Sequence, residues 1–299
     1  EVTQEGDTWI VKGTGGRIRT RKTEIDAKNS GTTLRLLTGV ASLSPSPVRL
    51  IGDESLSRRP MGALVEALTE LGATAKCEGS KGRPPVVVGR GLEGGEVEIT
   101  GVISSQFISA LLIAAAKAKN DVEIHVTEEL RSRPYIEITL ELLRKAGVKV
   151  KHDPGFKRFK IYGQQEFKPI DIEIPGDFSS AAFILGAGGI TDSQVEVTNL
   201  DYNSAQGDKR IVKFLDDFGI DVKVLKNSVV VAGGELSGSE FDCGDTPDLV
   251  PILAVLGSVA EGSTEITNVP HLRVKESDRI KSLAVGLKKL GGEVKELPD

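Results

Sequence analysis

The chain has 299 residues, of which 39% are hydrophobic and 27% are charged, and its formal net charge is −5. This length allows two domains, each with its own buried core, and the composition is that of an ordinary globular protein. No stretch approaches the ~20 apolar residues of a membrane span, and the acidic balance argues against a broad nucleic-acid-binding face. We therefore expect a cytoplasmic protein that binds neither membranes nor nucleic acid and holds small anionic ligands in a local pocket.

A short polar cluster that opens an apolar helical segment occurs four times, at intervals of 68 to 74 residues. The clusters are Asn29-Ser30-Gly31-Thr32, Ser104-Ser105-Gln106, Ser179-Ser180 and Thr246-Pro247-Asp248. Ser, Thr, Asn and Asp cap helix N-termini, so each cluster predicts a helix start. Capping alone would be a sufficient structural reason for all four clusters. If the helix starts are gathered around one region, however, their free N–H groups favour phosphates and carboxylates.

A second series runs in parallel with the first, and it consists of arginines at the start of amphipathic helices. Arg59, Arg133, Arg210 and Arg279 lie 69 to 77 residues apart. Each helix is predicted to end at a glycine that supplies a left-handed C-cap. These glycines are Gly72, Gly147, Gly219 and Gly291. Alternating or β-branched segments predict strands at residues 122–126, 148–151, 159–162, 194–197 and 228–231.

These elements combine into one repeating unit of strand, helix, strand, helix, strand, strand. Four copies cover nearly the whole chain, which predicts an α/β repeat protein. The first helix of each unit is the more apolar one, for example at residues 107–116 and 249–260. We expect these first helices to be buried and the second helices to be partly exposed.

Seven motifs with chemistry-bearing residues lie in order along the chain. They are Asn29-Ser30-Gly31-Thr32-Thr33-Leu34-Arg35, Arg59-Pro60-Met61-Gly62, Ser104-Ser105-Gln106-Phe107, Ser132-Arg133-Pro134-Tyr135-Ile136, Asn203-Ser204 through Gly207-Asp208, Pro247-Asp248, and Arg273-Val274-Lys275-Glu276-Ser277-Asp278-Arg279. Together they resemble the 5-enolpyruvylshikimate-3-phosphate synthases, a family of enolpyruvyl transferases. The similarity is specific because each motif alone is weak but all seven occur in register over essentially the entire chain.

The resemblance implies two domains of repeated βαβαββ units with helices inside and sheets outside, the inside-out α/β barrel of enolpyruvyl transferases. We expect about two of the three units of each domain here, because the opening and closing units of the family have no counterpart and the chain looks truncated at both ends. The boundary is expected near Pro175, where residues 172–174 end a strand. Residues 1–174 would form the shikimate-phosphate-binding domain, and residues 175–299 the domain with the acid and base residues.

The implied reaction transfers the enolpyruvyl group from phosphoenolpyruvate to the 5-hydroxyl of shikimate 3-phosphate and releases phosphate. It is a step of chorismate and aromatic amino acid biosynthesis. The 5-hydroxyl adds to C2 of phosphoenolpyruvate while C3 takes a proton, and the tetrahedral ketal then expels phosphate. Such chemistry needs an acid, a base and cations around two phosphates and a carboxylate. No metal or other cofactor is expected, the two substrates are the expected partners, and we expect a monomer.

The matched motifs also imply binding residues for each substrate. Those implied for shikimate 3-phosphate are Ser104, Ser105, Gln106, Ser132, Tyr135, Asp248, His271 and Lys275. Those implied for phosphoenolpyruvate are Asn29, Gly31, Arg59, Gln106 and Arg279. Arginine suits carboxylate and phosphate because its guanidinium fork donates two parallel hydrogen bonds. His271 departs from a close relative, which has an asparagine there, although histidine also donates hydrogen bonds.

Three of the matched residues are implied to be catalytic. Asp248 would be the base for the 5-hydroxyl, and Lys275 and Glu276 would be the proton-transfer pair. Without the resemblance, Asp248 would be a first-turn carboxylate that complements the helix dipole, and the lysine and glutamate would belong to a solvated helix cap.

Three other interpretations compete with this one. The UDP-N-acetylglucosamine enolpyruvyl transferases share the fold and the reaction type, but they place a reactive cysteine in the loop that here spans residues 53–58 and contains none. The RNA 3′-phosphate cyclases are built from related units but need a nucleic-acid surface and a nucleophilic histidine late in the chain, which the acidic balance and the sequence disfavour. A catalytically incomplete core, which binds substrate weakly or turns nothing over, stays open.

Overall fold

The computed structural model describes residues 2–14, 18, 23–191 and 193–298. These residues divide into two compact units, each described by itself. The first unit holds the described residues of Glu1–Leu130 and Thr139–Ile170, and the second holds those of Arg131–Ile138 and Asp171–Asp299. In this described part of the chain, no helix combines the length and apolarity that a membrane span needs.

The first unit begins with a hairpin and continues with two strand–helix repeats. The hairpin strands are β1 (Val2–Glu5) and β2 (Thr8–Val11). The first repeat contains β3 (Glu24–Asp26), α1 (Gly31–Ser42), β4 (Val48–Ile51), α2 (Gly62–Glu70), β5 (Thr74–Gly79) and β6 (Arg83–Gly89). The second contains β7 (Gly95–Ile99), α3 (Ser105–Ala115), β8 (Val122–Val126), α4 (Arg133–Lys145), β9 (Val150–His152) and β10 (Arg158–Ile161), although the start of α4 belongs to the second unit.

The two four-stranded sheets of these repeats have equivalent topologies. Their strand orders are β3-β4-β6-β5 and β7-β8-β10-β9. In each sheet the first pair is parallel and the other pairs are antiparallel. The helix between the parallel strands is therefore the crossover connection that such a pair requires.

The second unit repeats this order with shorter sheets. Its elements are α5 (Phe178–Ile190), β11 (Gln194–Thr198), α6 (Ile211–Asp217), β12 (Asp221–Val224), β13 (Ser228–Ala232), β14 (Glu240–Asp242), α7 (Val250–Gly257), β15 (Glu265–Thr267) and α8 (Arg279–Lys289). The strands β11, β13 and β12 form an antiparallel sheet, and β14 pairs with β15 in parallel. Short 3₁₀ turns at Gly207–Arg210, Pro247–Leu249 and Pro270–Val274 precede α6, α7 and α8.

The α/β repeat predicted from the sequence is confirmed. The predicted C-cap glycines all have left-handed backbones, with φ of +97° at Gly72, +79° at Gly147, +92° at Gly219 and +93° at Gly291. Strands lie at or within two residues of all five predicted positions. The predicted helix at residues 249–260 is shorter, because a 3₁₀ turn takes its first residue and α7 ends at Gly257.

Two predicted local features are wrong. Residues 172–174 form no strand, and their alternating isoleucines, Ile172 and Ile174, are exposed because no neighbouring strand pairs with them in the described structure. Arg59 does not begin α2 but follows a 3₁₀ turn, Leu56–Arg58, in an extended conformation. The reason is local, since Pro60 comes next and a residue before proline is disfavoured in the helical region.

The compact units differ from the predicted domains at residues 131–138 and 171–174. Both segments lie in the second unit, whereas the prediction placed them in the first domain. Ser132 and Tyr135 therefore belong to the same unit as Asp248, because the first turns of α4 pack with the second unit. The functional roles given to residues 1–174 and 175–299 stay predictions.

The packing of α1 on α3 fixes the two helix starts of the first unit. Helix α3 is apolar on nearly all sides, and Phe107, Leu111 and most of its other residues are buried. At Gly39 in α1 the two backbones meet, because a Cβ there would lie 2.6 Å from the carbonyl oxygen of Ala110. A glycine is thus required for this close approach.

We expect Gly39→Ala to lower the free energy of unfolding by about 1–3 kcal/mol, because the methyl group meets backbone that cannot move aside. The matched control is Gly286→Ala in α8, where no atom lies within 4 Å of the added Cβ. That control should stabilise the chain by up to ~1 kcal/mol. Urea unfolding of both variants measures the difference, and a Gly39→Ala protein as stable as wild type would contradict this packing.

Candidate functional site

Two capped helix starts in the first unit carry the first group of predicted site residues. The hydroxyl of Ser30 accepts a hydrogen bond from the backbone N–H of Thr33 at 3.1 Å and so caps α1. The hydroxyl of Ser104 accepts from the N–H of Gln106 at 3.3 Å and caps α3. Ser105 follows as the first residue of α3 and is buried. Because α1 packs on α3, both positive helix ends belong to one packed layer.

Gln106 connects these two helix starts through its side-chain amide. Its Oε1 accepts a hydrogen bond from Arg35 Nη1 at 2.8 Å, and its Nε2 donates to the hydroxyl of Thr32 at 2.8 Å. Gly31 and Arg59 lie next to Arg35. We call Gly31, Thr32, Arg35, Arg59 and Gln106 the Arg35 cluster.

Two buried guanidinium groups lie close together in the Arg35 cluster. Arg35 and Arg59 are each 8% exposed. Burial, and then the charge of Arg59, lower the pKa of Arg35 to about 10, so Arg35 is still charged at neutral pH. Gly31 makes room for them, because a Cβ there would lie 2.6 Å from Arg59 Nη1. Two adjacent cations beside helix N-termini favour an anionic ligand.

Asn29 precedes the Arg35 cluster and is held by a carboxylate. Its Nδ2 donates to Asp53 Oδ2 at 2.6 Å, and Asp53 also accepts from the N–H of Leu56. These hydrogen bonds lower the pKa of Asp53 and keep it ionised. They tie the loop before α1 to the turn that carries Arg59.

The second unit contains a chain of hydrogen bonds between four predicted site residues. Tyr135 donates from its hydroxyl to Asp248 Oδ2 at 2.7 Å, and Arg279 Nη1 donates to Asp248 Oδ1 at 2.6 Å. Arg279 also donates from Nε to Glu276 Oε1 at 2.8 Å. We call Tyr135, Asp248, His271, Glu276 and Arg279 the Asp248 cluster.

The charge states in the Asp248 cluster follow from these contacts. Burial favours the neutral form of Asp248, but the hydrogen bonds from Arg279 and Tyr135 outweigh it and lower its pKa. Burial, together with the neighbouring carboxylates of Asp208 and Asp248, raises the pKa of Tyr135. At neutral pH the cluster therefore contains a charged carboxylate that accepts from a neutral phenol and a guanidinium.

Contacts between three segments of the second unit surround the Asp248 cluster. The backbone N–H of Arg133 donates to Asp245 Oδ1 at 3.1 Å, which joins the start of α4 to the turn before α7. Pro134 packs on Gly207, where a Cβ would lie 2.6 Å from the proline ring. Ser132 is buried and has φ of +55°, a left-handed conformation that a serine rarely adopts.

His271 and Lys275 complete the predicted residues of the second unit. His271 is 7% exposed, and neither ring nitrogen has a hydrogen-bond partner among the described residues. Burial, followed by the charges of Lys275 and Arg131, lowers the pKa of His271 to about 4, so the imidazole is neutral at pH 7. Lys275 also helps to lower the pKa of Asp248, which indicates that its ammonium lies near the carboxylate.

A cavity of about 780 Å³ opens beside the Asp248 cluster within the second unit. Asp248, Glu276 and Arg279 line it together with serine and apolar side chains of α5, α7 and α8. Among the described residues, no group of three or more His, Cys, Asp or Glu side chains is arranged to hold a metal ion.

The structure thus brings the predicted residues together in two groups. The first unit holds Asn29, Gly31, Arg59, Ser104, Ser105 and Gln106, and the second holds Ser132, Tyr135, Asp248, His271, Lys275, Glu276 and Arg279.

Two buried charged residues were missed as site residues, although both lie in recognised motifs. Arg35 lies four residues after Gly31 in α1, so helical spacing places both on one face. Asp208 is 4% exposed and accepts a hydrogen bond from Ser179 Oγ at 2.5 Å. The available signal for each was that it is the one charged residue of its motif.

Comparisons with known proteins give consistent results. The family model described as EPSP synthase (3-phosphoshikimate 1-carboxyvinyltransferase) matches residues 1–299. Two proteins named 3-phosphoshikimate 1-carboxyvinyltransferase, from Methanocaldococcus jannaschii and Methanocella arvoryzae, are 45% and 44% identical to the chain. Both matches cover 100% of the chain and 70% and 71% of the relatives' lengths. The structure of an EPSP synthase from Acinetobacter baumannii superposes with a TM-score of 0.77 at 26% identity, and the match covers 100% of this chain and 69% of that one.

Asp208 gives the second unit a pH-dependent stability. Burial raises its pKa from 3.8 to about 6, against the hydrogen bond from Ser179. Between these values the folded chain holds a proton that the unfolded chain has lost, so stability falls as pH rises through this window. From about pH 4 to about pH 7, wild type should lose about 2–3 kcal/mol more unfolding free energy than Asp208→Asn.

Urea unfolding at several pH values measures this difference. Asp217→Asn, at an exposed position in α6, is the matched control and should keep the wild-type pH dependence. Parallel pH profiles for wild type and Asp208→Asn would show that Asp208 does not titrate in this window.

Proposed function

The chain belongs to the EPSP synthase (3-phosphoshikimate 1-carboxyvinyltransferase) family, and we propose that it carries out the family's reaction with the residues of the Arg35 and Asp248 clusters. It transfers the enolpyruvyl group from phosphoenolpyruvate to the 5-hydroxyl of shikimate 3-phosphate and releases phosphate. The proposed roles of individual residues rest on the hydrogen-bond chain Tyr135–Asp248–Arg279–Glu276. In this chain an ionised carboxylate lies next to a guanidinium, and both line a cavity.

Asp248 is the proposed base for the 5-hydroxyl. Its carboxylate is ionised at neutral pH and therefore accepts a proton without first losing one. The hydrogen bond from Tyr135 orients the carboxylate, and the raised pKa of Tyr135 keeps this partner a donor. A base within hydrogen-bonding reach of the attacking hydroxyl contributes about 10²–10⁴-fold to such a step.

Arg279 is the proposed contact for the anionic groups of phosphoenolpyruvate in the second unit. It divides its donors between Asp248 and Glu276. A phosphate or carboxylate of the substrate that accepts some of these hydrogen bonds would leave fewer for Asp248. The pKa of Asp248 would then rise, and Asp248 would become a stronger base. Substrate binding and activation of the base are thereby linked.

Glu276 and Lys275 are the proposed pair that moves protons at C3 of phosphoenolpyruvate. In the addition step, the oxygen–C2 bond forms, the 5-hydroxyl loses its proton and C3 gains one. In the elimination step, C3 loses a proton and the bond between C2 and the phosphate oxygen breaks. Glu276 lines the cavity and Lys275 is its neighbour in the chain. A carboxylate and an ammonium suit the two directions of proton transfer.

In the first unit, the proposed role of the α3 start is to bind the phosphate of shikimate 3-phosphate. The Ser104 and Ser105 hydroxyls and the backbone N–H groups lie at the positive end of the helix. The Arg35 cluster, with Gly31 and Arg59, supplies the proposed phosphoenolpyruvate contacts of this unit, and Asn29 extends it. Ser132, His271 and Tyr135 are the further proposed shikimate 3-phosphate contacts of the second unit.

Two substrates are the proposed partners, and we propose that the chain works as a monomer in the cytoplasm. The net charge of −5 argues against a broad nucleic-acid-binding face. The UDP-N-acetylglucosamine transferase alternative is not favoured, because the relatives that match the whole of this chain are named 3-phosphoshikimate 1-carboxyvinyltransferase.

Substrate identity is tested by calorimetric titration with shikimate 3-phosphate, with UDP-N-acetylglucosamine as the control ligand. We expect saturable binding of the shikimate ester alone. Ser105→Ala should weaken this binding by about tenfold, since a hydrogen bond to a charged phosphate is lost. Ser46→Ala, at an exposed serine of the same unit, should bind like wild type. Preference for the nucleotide sugar would overturn the substrate assignment.

The role of Asp248 is tested by Asp248→Asn, which keeps the size of the side chain and removes the base. We expect kcat to fall by about 10²–10⁴-fold, with a smaller change in the Kd of shikimate 3-phosphate. Asp216→Asn, an exposed carboxylate on α6, is the control and should keep the wild-type kcat. If Asp248→Asn retained most of its kcat while binding weakened, Asp248 would be a binding residue only.

A further inference from the structure

Arg35 is a buried cation of the Arg35 cluster to which the proposed reaction assigns no individual role. It is 8% exposed, and its guanidinium carbon lies 5.5 Å from the centroid of the Phe107 ring. Its Nη1 donates to Gln106 Oε1 at 2.8 Å. The side chain is thus held between an aromatic ring and an amide oxygen, in a position set by the packing of α1 on α3.

The contact with Arg35 determines which way the Gln106 amide points. A guanidinium has no hydrogen-bond acceptor, so the amide atom facing Arg35 has to be the oxygen. The nitrogen then faces Thr32, where Nε2 donates one hydrogen bond to the hydroxyl at 2.8 Å. With one N–H bonded to Thr32, the amide has a single N–H left to offer to a ligand.

This arrangement restricts the chemistry available to Gln106. A glutamine side chain normally presents both an acceptor and a donor. Here its oxygen already accepts a charge-assisted hydrogen bond from a cation that cannot move away, because Arg35 is buried against Phe107. Gln106 is therefore preorganised to donate, which suits an anionic substrate group.

We propose that Arg35 is a positioning residue that fixes the Gln106 amide as a hydrogen-bond donor toward phosphoenolpyruvate. This proposal rests on the proposed function, in which Gln106 contacts the substrates. Arg35 acts through Gln106, so its effect on catalysis disappears when Gln106 can no longer donate.

The kinetic test uses Arg35→Lys, which keeps the positive charge. The lysine ammonium ends about where the guanidinium carbon lies, one bond short of the Nη1 position that donates to Gln106 Oε1. We expect kcat/KM for phosphoenolpyruvate to fall about tenfold in the wild-type background, and less than about twofold in a Gln106→Met background. The exposed Arg58→Lys is the control and should change neither value. Equal losses in both backgrounds would overturn the proposal.

A second measurement needs no turnover. In isotope-labelled, ligand-free protein, the side-chain amide protons of Gln106 should exchange with water about tenfold faster in Arg35→Lys than in wild type. The amide of Gln165, which donates to backbone carbonyls of the same unit, is the internal control and should not change. Arg35→Gln serves as the second variant and should give the same acceleration if Arg35→Lys does not fold.

These two measurements separate the failure of the proposal from the failure of the proposed function. Unchanged exchange at Gln106 in both variants would show that Arg35 does not hold the amide, whatever the enzyme does. If exchange is faster in the variants but the protein turns over no phosphoenolpyruvate, the two results point in different directions. The faster exchange supports the role of Arg35 in holding Gln106, and the missing turnover counts against the proposed function.

Discussion

A charge that is buried near a helix start has to be hydrogen-bonded, and both candidate clusters depend on this constraint. In the second unit, Asp248 remains ionised because Arg279 and Tyr135 donate to it. In the first unit, Arg35 remains charged because burial and Arg59 lower its pKa only to about 10. Its buried guanidinium donates to Gln106 and lies over Phe107. Removing one partner from such a pair leaves an uncompensated charge, so each cluster has one stable arrangement rather than several.

The repeat fold supplies these clusters with their positions. In three of the four repeats a parallel pair of strands flanks the first helix, as with α1, α3 and α7. The N-termini of α1, α3 and α5 carry the polar side-chain caps Ser30, Ser104 and Asp177. Close packing between repeats is possible where glycine replaces a side chain, as at Gly39 against Ala110, and within the first repeat Gly31 makes room for Arg59 in the same way. The same unit thus builds a rigid core and presents helix N-termini, and the residues added at those termini determine the chemistry.

The sequence was sufficient for features that depend on local interactions. The C-cap glycines were predicted correctly because a left-handed φ is a property of one residue and its neighbours. The strand predicted at residues 172–174 was wrong because a strand depends on a partner elsewhere in the chain. Arg35 and Asp208 were missed as site residues because their partners lie 71 and 29 residues away, beyond any local pattern. The motifs indicated which residues take part, and the structure adds their partners.

The most direct test of the account is phosphorus NMR of the chain mixed with shikimate 3-phosphate and phosphoenolpyruvate. We expect the phosphoenolpyruvate signal to decay while two signals appear in equal amounts, one from inorganic phosphate and one from the 3-phosphate of the new enolpyruvyl ether of shikimate 3-phosphate. Omitting shikimate 3-phosphate should abolish both new signals, because the 5-hydroxyl is the nucleophile. Unchanged spectra at high protein concentration, from a chain whose folding is verified, would contradict the claim that these clusters carry out enolpyruvyl transfer.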